Sequence, residues 1–293
     1  MSRPSRLALI LAFAAMYLIW GSTYLAIGFG VAAIPPFLLA GIRFLVGGLM
    51  FFAWGWFTQA SRPTVRHWVT TACIGTLMAA GGTGLVTWAL QTVQSGLGAL
   101  LVSVVPLWVV LIDWVKPSGR RPAGRVLLGL ALGIGGVALL ISPPGAGLGQ
   151  IDPVGAGTIF VAGLLWAGGS VYSRHAPQPA SQALSSGMQM IGGGAVLLGF
   201  AALTGEFRDV DWASVPTRAW AAWAYTAVFG SIAYGCYLWL LKASTPAKAT
   251  TYAYVNPVIA LLLGYLLGDE VLTLWTMGCS TAVVTSVLLV VSK

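Results

Sequence analysis

A chain this apolar must draw any chemistry from side chains set within hydrocarbon, and the 293-residue sequence offers few kinds. Its histidines are His67 and His175, both at the edges of apolar runs. A serine at depth without a base beside it makes no catalytic pair. Cys73, Cys236 and Cys279 lie in separate apolar runs, at spacings that form neither a disulfide framework nor a metal-ligand set. A mid-membrane carboxylate, the usual titrating site of proton-driven carriers, is absent from the centre of every run. Asp113, close to Lys116, reads as a surface or ion-pairing residue. The sequence is therefore not read as an enzyme, and no cofactor or metal is expected.

What remains at depth is neutral and largely aromatic. Trp20 with Tyr24, Thr83 with Thr87, Ser103 with Trp108, Trp166 with Ser170, Tyr234, and Tyr252 with Asn256 fall near the middles of six separate runs. Two readings stand. Serine and threonine can bond back to their own helices while the rings fill gaps between helices. Alternatively the group converges on a central cavity, where N–H, O–H and amide groups find partners; recurrence across six runs favours this second reading. Arg43 is the one charge well inside a run, about 8 residues or roughly 12 Å from its outer end. It reads either as a structural group that snorkels or bonds freed carbonyls, or as a partner for a solute carboxylate. Pro106 and Pro257 lack an amide donor and free the carbonyls of Val102 and Ala253, which makes a hinge or a static kink at mid-run.

The elements that must position these groups follow from composition. With 58% hydrophobic and 8% charged residues, a mean hydropathy of +0.87 and 38 glycines, the chain cannot cover a soluble globule, which carries about 25% charge. Barrel strands would alternate apolar and polar residues; here unbroken runs follow one another. The expected fold is an all-α integral membrane protein with ten transmembrane helices near 7–30, 35–57, 67–91, 95–115, 123–142, 153–173, 181–203, 219–241, 247–268 and 273–291. The first run outlasts a signal peptide and reads as a span. The loops leave no room for a soluble domain.

Assigning loops alternately puts Arg3, Arg6, Arg62, Arg66, Lys116, Arg120, Arg121, Arg125, Arg174, Lys242, Lys248 and Lys293 on one side, 12 of the 15 basic residues. Asp152, Glu206, Asp209, Asp211, Asp269 and Glu270 fall on the other. Both termini are then cytoplasmic by the positive-inside rule. The net charge of +8 is accounted for by this partition, and no nucleic-acid partner is expected. Glycines such as Gly129-x-x-x-Gly133, Gly81-Gly82 and Gly192-Gly193-Gly194 permit close helix contact.

The halves of the chain match each other. Trp88-Ala89-Leu90-Gln91 recurs as Trp239-Leu240-Leu241-Lys242, and each tryptophan is followed 18 positions later by Pro106 or Pro257. Trp20 answers Trp166, Gly84 answers Gly235, and 137–142 resembles 286–292. Residues 1–142 and 143–293 are thus expected to form two five-helix repeats. An odd number of spans per repeat inverts the second, which is the architecture of alternating-access transporters with a midplane site.

Trp20-Gly21-Ser22-Thr23, Gly41-Ile42-Arg43-Phe44, Asn256-Pro257-Val258 and Leu267-Gly268-Asp269-Glu270-Val271-Leu272-Thr273 together resemble the EamA-type members of the drug/metabolite transporter superfamily. Within it the chain is most similar to the YddG-type exporters of aromatic and other amino acids. The acidic turn after span 9 has no counterpart after span 4, where Lys116-Pro117-Ser118-Gly119-Arg120 stands. The resemblance implies export of amino acids and related small metabolites across a bacterial inner membrane, by a chain able to act as a monomer among membrane lipid. Carriers of phosphorylated sugars in that superfamily would be expected to present several basic groups; this sequence offers one. A carrier of sugars or drug-like compounds is the alternative within transport, and a membrane scaffold or sensor is the alternative from another class. Without a titratable group at depth, uniport-like movement without proton coupling is expected. Its rival is an ion held by Asn256 and the proline-freed carbonyls.

Overall fold

Capping chemistry sets many of the helix boundaries. Helix α1 (Arg6–Val31) starts where the Ser5 hydroxyl accepts from the Ala8 amide at 3.1 Å, an N-cap that satisfies one orphan donor. Helix α2 (Pro36–Thr58) opens on a proline, whose missing N–H is harmless in a first turn. Helix α3 (Val65–Ala89) is entered through a capping box between Thr64 and His67, which gives that histidine a structural role at the span edge. Helices α4 (Ser95–Val102), α5 (Val105–Val115) and α6 (Gly124–Ile141) follow. Asp152 caps α7 (Pro153–Ser173), and Ser181 caps α8 (Gln182–Leu203). The chain continues through one turn at Glu206–Asp209 to α9 (Thr217–Ala243), α10 (Tyr252–Leu267) and α11 (Leu274–Val291).

This is a computed structural model that describes residues 5–58, 62–115, 123–141, 152–244, 249 and 252–291. Arg3, Lys116, Arg120, Arg121, Lys248, Lys293, the 142/143 repeat boundary and the side chain of Asp113 lie outside the described part. Among the described residues there are helices and no strands. Seven helical stretches are long and apolar enough to cross a membrane: α1, α2, α3, Ser95–Ile112, α7, α8 and α9. Shorter apolar helices occupy Gly124–Gly136 and Val255–Leu267. Large apolar side chains face outward at many points, with Phe57 86% and Leu203 85% exposed, as lipid-facing surface requires.

Helix α8 lies along both α2 and α3, α1 runs beside α9 and α10, α7 packs on α3 and α5, α4 meets α10, and α6 pairs with α11. Hydrophobic force between helices is weak in lipid, so close backbone approach carries the packing. Gly75 of α3 lies where a Cβ would meet the Gln189 carbonyl of α8, and Gly187 of α8 lies where one would meet the Phe52 backbone of α2. No larger residue fits between these backbones without moving one of them.

The structure departs from the sequence expectations in its helix interiors. The expected span 95–115 is interrupted at Ser103 and Val104, so Pro106 sits in the first turn of a new helix, where its missing donor is tolerated. Its counterpart Pro257 lies inside the continuous α10. Two segments are wound as π-helix, Thr76–Gly84 in α3 and Thr226–Gly230 in α9. With Trp88 and Trp239 equated, 226–230 falls on 75–79, so the two widened stretches overlap in repeat register.

The central cavity as candidate functional site

The rings of the middle helices assemble into one cluster. Trp20 of α1 meets Trp166 of α7 edge to face, with centroids 5.5 Å apart, and lies 5.3 Å from both Tyr237 of α9 and Tyr252 of α10. Trp166 in turn reaches Tyr234 at 5.9 Å and Tyr237 at 5.5 Å. T-shaped pairs of this kind contribute about 0.5–1.5 kcal/mol each beyond the area they bury. Beside the cluster lies a cavity whose free space, counted together with its open mouth, is about 740 Å³. Its wall is built from α1, α2, α3, α4, α5, α7, α9 and α10.

Six of the residues singled out by sequence line this cavity: Trp20, Tyr24, Thr83, Trp166, Tyr234 and Tyr252. The two tryptophans matched between the halves touch each other there. Arg43 also lines it, 7% exposed, its guanidinium carbon 4.7 Å from the Phe44 ring centroid. Among the described residues Arg43 is the one charged residue in the lining, with no carboxylate and no imidazole beside it.

Five of the expected residues do not line the cavity, three of them bonded to their own helices. Thr87 donates to the Thr83 carbonyl at 2.8 Å and Ser103 to the Leu100 carbonyl at 2.6 Å, so their own helices satisfy them. Ser170 donates to the Trp166 carbonyl at 2.7 Å and lies 2.9 Å from the Tyr237 hydroxyl, behind the ring wall. Trp108 sits behind Gly163, against Phe160 at 4.7 Å. Asn256, 2% exposed, leaves both amide atoms without a hydrogen-bond partner, one turn along α10 from Tyr252.

Residues missed by sequence complete the wall. Gly82 comes from the π segment of α3, beside the expected Thr83, and Thr226 and Gly230 from that of α9, with Ser231 next to it. A π turn widens the helix and shifts its register, so these small residues reach the cavity where ordinary helical periodicity would not bring them. Paired glycines at 81–82 are the only trace of it in the sequence. Gln189, fully buried in α8, accepts from the Tyr234 hydroxyl at 3.2 Å and donates to Gln178 at 3.1 Å and Ser185 at 3.2 Å. That network fixes the hydroxyl end of one cavity tyrosine.

Acids in the loops close helix ends. Glu270 accepts from the Ser95 and Gly96 amides at 2.7 and 3.0 Å, at the start of α4, and Glu206 accepts from the Leu38 amide at 2.7 Å, in the first turn of α2. Both place negative charge at a helix N-terminus, the favourable end of the dipole. Burial pushes the Glu206 carboxyl up, against the pull of the Leu38 and Phe37 amides, with Asp209 adding to the rise. Asp152 is held low, chiefly by the Thr92 hydroxyl at 2.8 Å and then by the Val154 amide.

Apolar helices long enough to cross a membrane, gathered around a central cavity, are the build of a multi-pass membrane protein. The chain belongs to the EamA-like transporter family, whose model matches residues 6–142 and 153–292, within the drug/metabolite transporter superfamily. It is 37% identical over 265 residues to the uncharacterized inner membrane transporter YedA of Escherichia coli K12, spanning 89% of this chain and 83% of that protein. It is 25% identical to the uncharacterized transporter YoaV of Bacillus subtilis, over 90% of both chains. Protein PecM of Dickeya dadantii is 28% identical over 85% of this chain and 80% of its own. A solved crystal structure 22% identical aligns with a TM-score of 0.67 over 98% of this chain and 96% of that one, a likeness of fold. The family is one of transporters, YedA and YoaV are named as transporters, and YedA as an inner membrane transporter.

Proposed function

We propose that this protein is a secondary transporter that exports amino acids, aromatic ones included, and related small metabolites by alternating access. The observation that carries the reading is the aromatic wall of the cavity, with Trp20 edge-on to Trp166 and with Tyr234 and Tyr252 beside them. Such a wall grips flat apolar groups, while the Thr83 hydroxyl and the accepting oxygens of Thr226 and Ser231, whose hydrogens go to the Trp223 and Ala227 carbonyls, offer neutral hydrogen bonds. The solute would be held by Trp20, Tyr24, Thr83, Trp166, Tyr234 and Tyr252. Small-molecule solutes and membrane lipid are the partners this reading requires, and the chain acts as a monomer.

In this reading ten spans form two inverted five-helix repeats, and the cavity opens alternately as the halves rock about the span-4 break and the Pro257 site. The pairing of helices supports it: span 2 lies against span 7, span 5 against span 10, and span 4 against span 9, so that three of the five expected pairs pack as counterparts. Both termini are cytoplasmic by the charge partition. With the native cysteines replaced, Arg62→Cys should react with an impermeant maleimide only from the cytoplasmic face and Asp209→Cys only from the opposite face. Reaction of both from one face would overturn the inverted arrangement.

Transport is uniport-like. Arginine keeps its proton over the accessible pH range, and the cavity lining holds no other ionisable group near neutrality. In vesicles containing only this protein, labelled phenylalanine should equilibrate with its own gradient and should not accumulate when a pH gradient alone is imposed. Uphill accumulation under that gradient would contradict proton-free transport. Accumulation on a sodium gradient alone would instead move the coupling to the unpartnered amide of Asn256. Competition by sugars and not by amino acids would reassign the substrate class.

A further inference from the structure

Among the described residues the cavity wall holds one charge, and that charge has no counterion. Arg43 is 7% exposed, and among the described residues its guanidinium donates no hydrogen bond and joins no ion pair. The face of Phe44 at 4.7 Å is its one recorded partner. A purely structural arginine at this depth would spend its donors on freed carbonyls or a carboxylate, since an unpaired buried cation is strongly disfavoured. Five planar donors facing a cavity are instead suited to a carboxylate, which a guanidinium takes in a two-pronged bond. Phe44 ties this cation to the aromatic wall: its ring lies 6.1 Å from that of Tyr234, which in turn packs on Trp166.

We propose that Arg43 is the anion anchor of the cavity, and that the solute is recognised by its carboxylate and its side chain while an α-ammonium is dispensable. The proposal rests on the reading of this cavity as the transport site and narrows what it accepts. Among the described residues an ammonium group finds no acid in the wall; it is left with ring faces, at about 0.5–2 kcal/mol, and neutral hydroxyl oxygens. A carboxylate finds the single unpaired cation. Aromatic monocarboxylates therefore belong to the solute class alongside the zwitterionic amino acids.

The test compares ligands that differ by one group, measured by binding to the purified full chain: phenylalanine, 3-phenylpropanoate and phenethylamine, with hexanoate and hexylamine as a ring-free pair. Phenylalanine and 3-phenylpropanoate should bind within about tenfold of each other, and phenethylamine should bind at least about 30-fold more weakly, the lower range for loss of one partner of a buried charge pair. Arg43→Gln should remove the preference for acid over amine, and Arg43→Lys should keep part of it, having the charge without the fork. Should Arg43→Gln not fold, the wild-type comparison and Arg43→Lys decide the matter. Equal binding of acid and amine, or an unchanged preference in folded Arg43→Gln, overturns the anchor. If no aromatic probe binds but hexanoate does so through Arg43, the anchor stands and the aromatic reading of the cavity falls. If neither acid binds, the anchor is overturned.

Discussion

Trp166→Ala should reduce transport at least about tenfold and lower the thermal stability of the protein. Trp166 lies at the centre of the ring cluster, 8% exposed and in contact with Trp20, Tyr234 and Tyr237. Its indole N–H lacks a well-aligned partner, although the Tyr237 and Tyr252 hydroxyls lie nearby. Little hydrogen bonding is therefore lost on truncation, and the cost is that of a void, about 3–5 kcal/mol for a large aromatic side chain. Trp166→Phe keeps a ring against Trp20 and should retain most of the activity at a smaller loss of stability. Measuring solute uptake together with the melting temperature of both variants separates the two effects. Normal uptake by a folded Trp166→Ala protein would remove this ring from the transport path.

A comparable loss of stability is expected at a position without a side chain. Gly75→Ala introduces a methyl group where the Gln189 carbonyl of α8 stands, with the Gly193 amide at 2.9 Å. Neither neighbour is a flexible side-chain end, so a backbone must move, at a cost of about 3 kcal/mol or more. The displaced turn carries Gln189, whose side-chain oxygen holds the Tyr234 hydroxyl, so the disturbance reaches the cavity. Gly199→Ala, on the facing helix α8, is the control: nothing lies within 4 Å of its Cβ, and alanine is the better helix former by up to about 1 kcal/mol. Thermal melting by size-exclusion chromatography should show Gly75→Ala lost or strongly shifted down and Gly199→Ala unchanged or raised. Equal melting of both would mean that α3 and α8 do not approach as described.

Much of this architecture was legible in the sequence because lipid imposes a simple rule: a segment that crosses must be long, apolar and helical. The helices begin and end within a few residues of the expected runs wherever both are described, and Thr217–Ala243 differs from 219–241 by two residues at each end. Trp20 and Trp166, matched as repeat equivalents, meet in the core. What the sequence did not reveal is how polar groups at depth are satisfied. Thr83 and Thr87 are four residues apart and share a face, yet Thr87 is fully buried and bonded to the Thr83 carbonyl while Thr83 faces the cavity. A hydroxyl that can bond its own helix carries no signature of where it points.

The π segments explain the other omissions. Helical periodicity assumes 3.6 residues per turn, and a π stretch breaks that count, so Gly82, Thr226 and Gly230 could not be assigned to the cavity from spacing. Pro106 and Pro257 look alike in sequence and differ in structure, one at a helix start and one inside a helix. The Tyr234 to Gln189 bond joins residues 45 positions apart, a tertiary contact that no local pattern records.

The most direct test of the claim that the cavity is a carrier site is counterflow. Vesicles holding only this protein are loaded with excess unlabelled phenylalanine and diluted into a trace of labelled phenylalanine. An alternating-access carrier returns from each outward step loaded with label, so internal label should rise transiently above equilibrium in the wild type, and the overshoot should vanish in a folded Trp166→Ala variant. The account would be contradicted by a folded wild-type protein that passes the label without overshoot, or by an overshoot of equal size in both proteins.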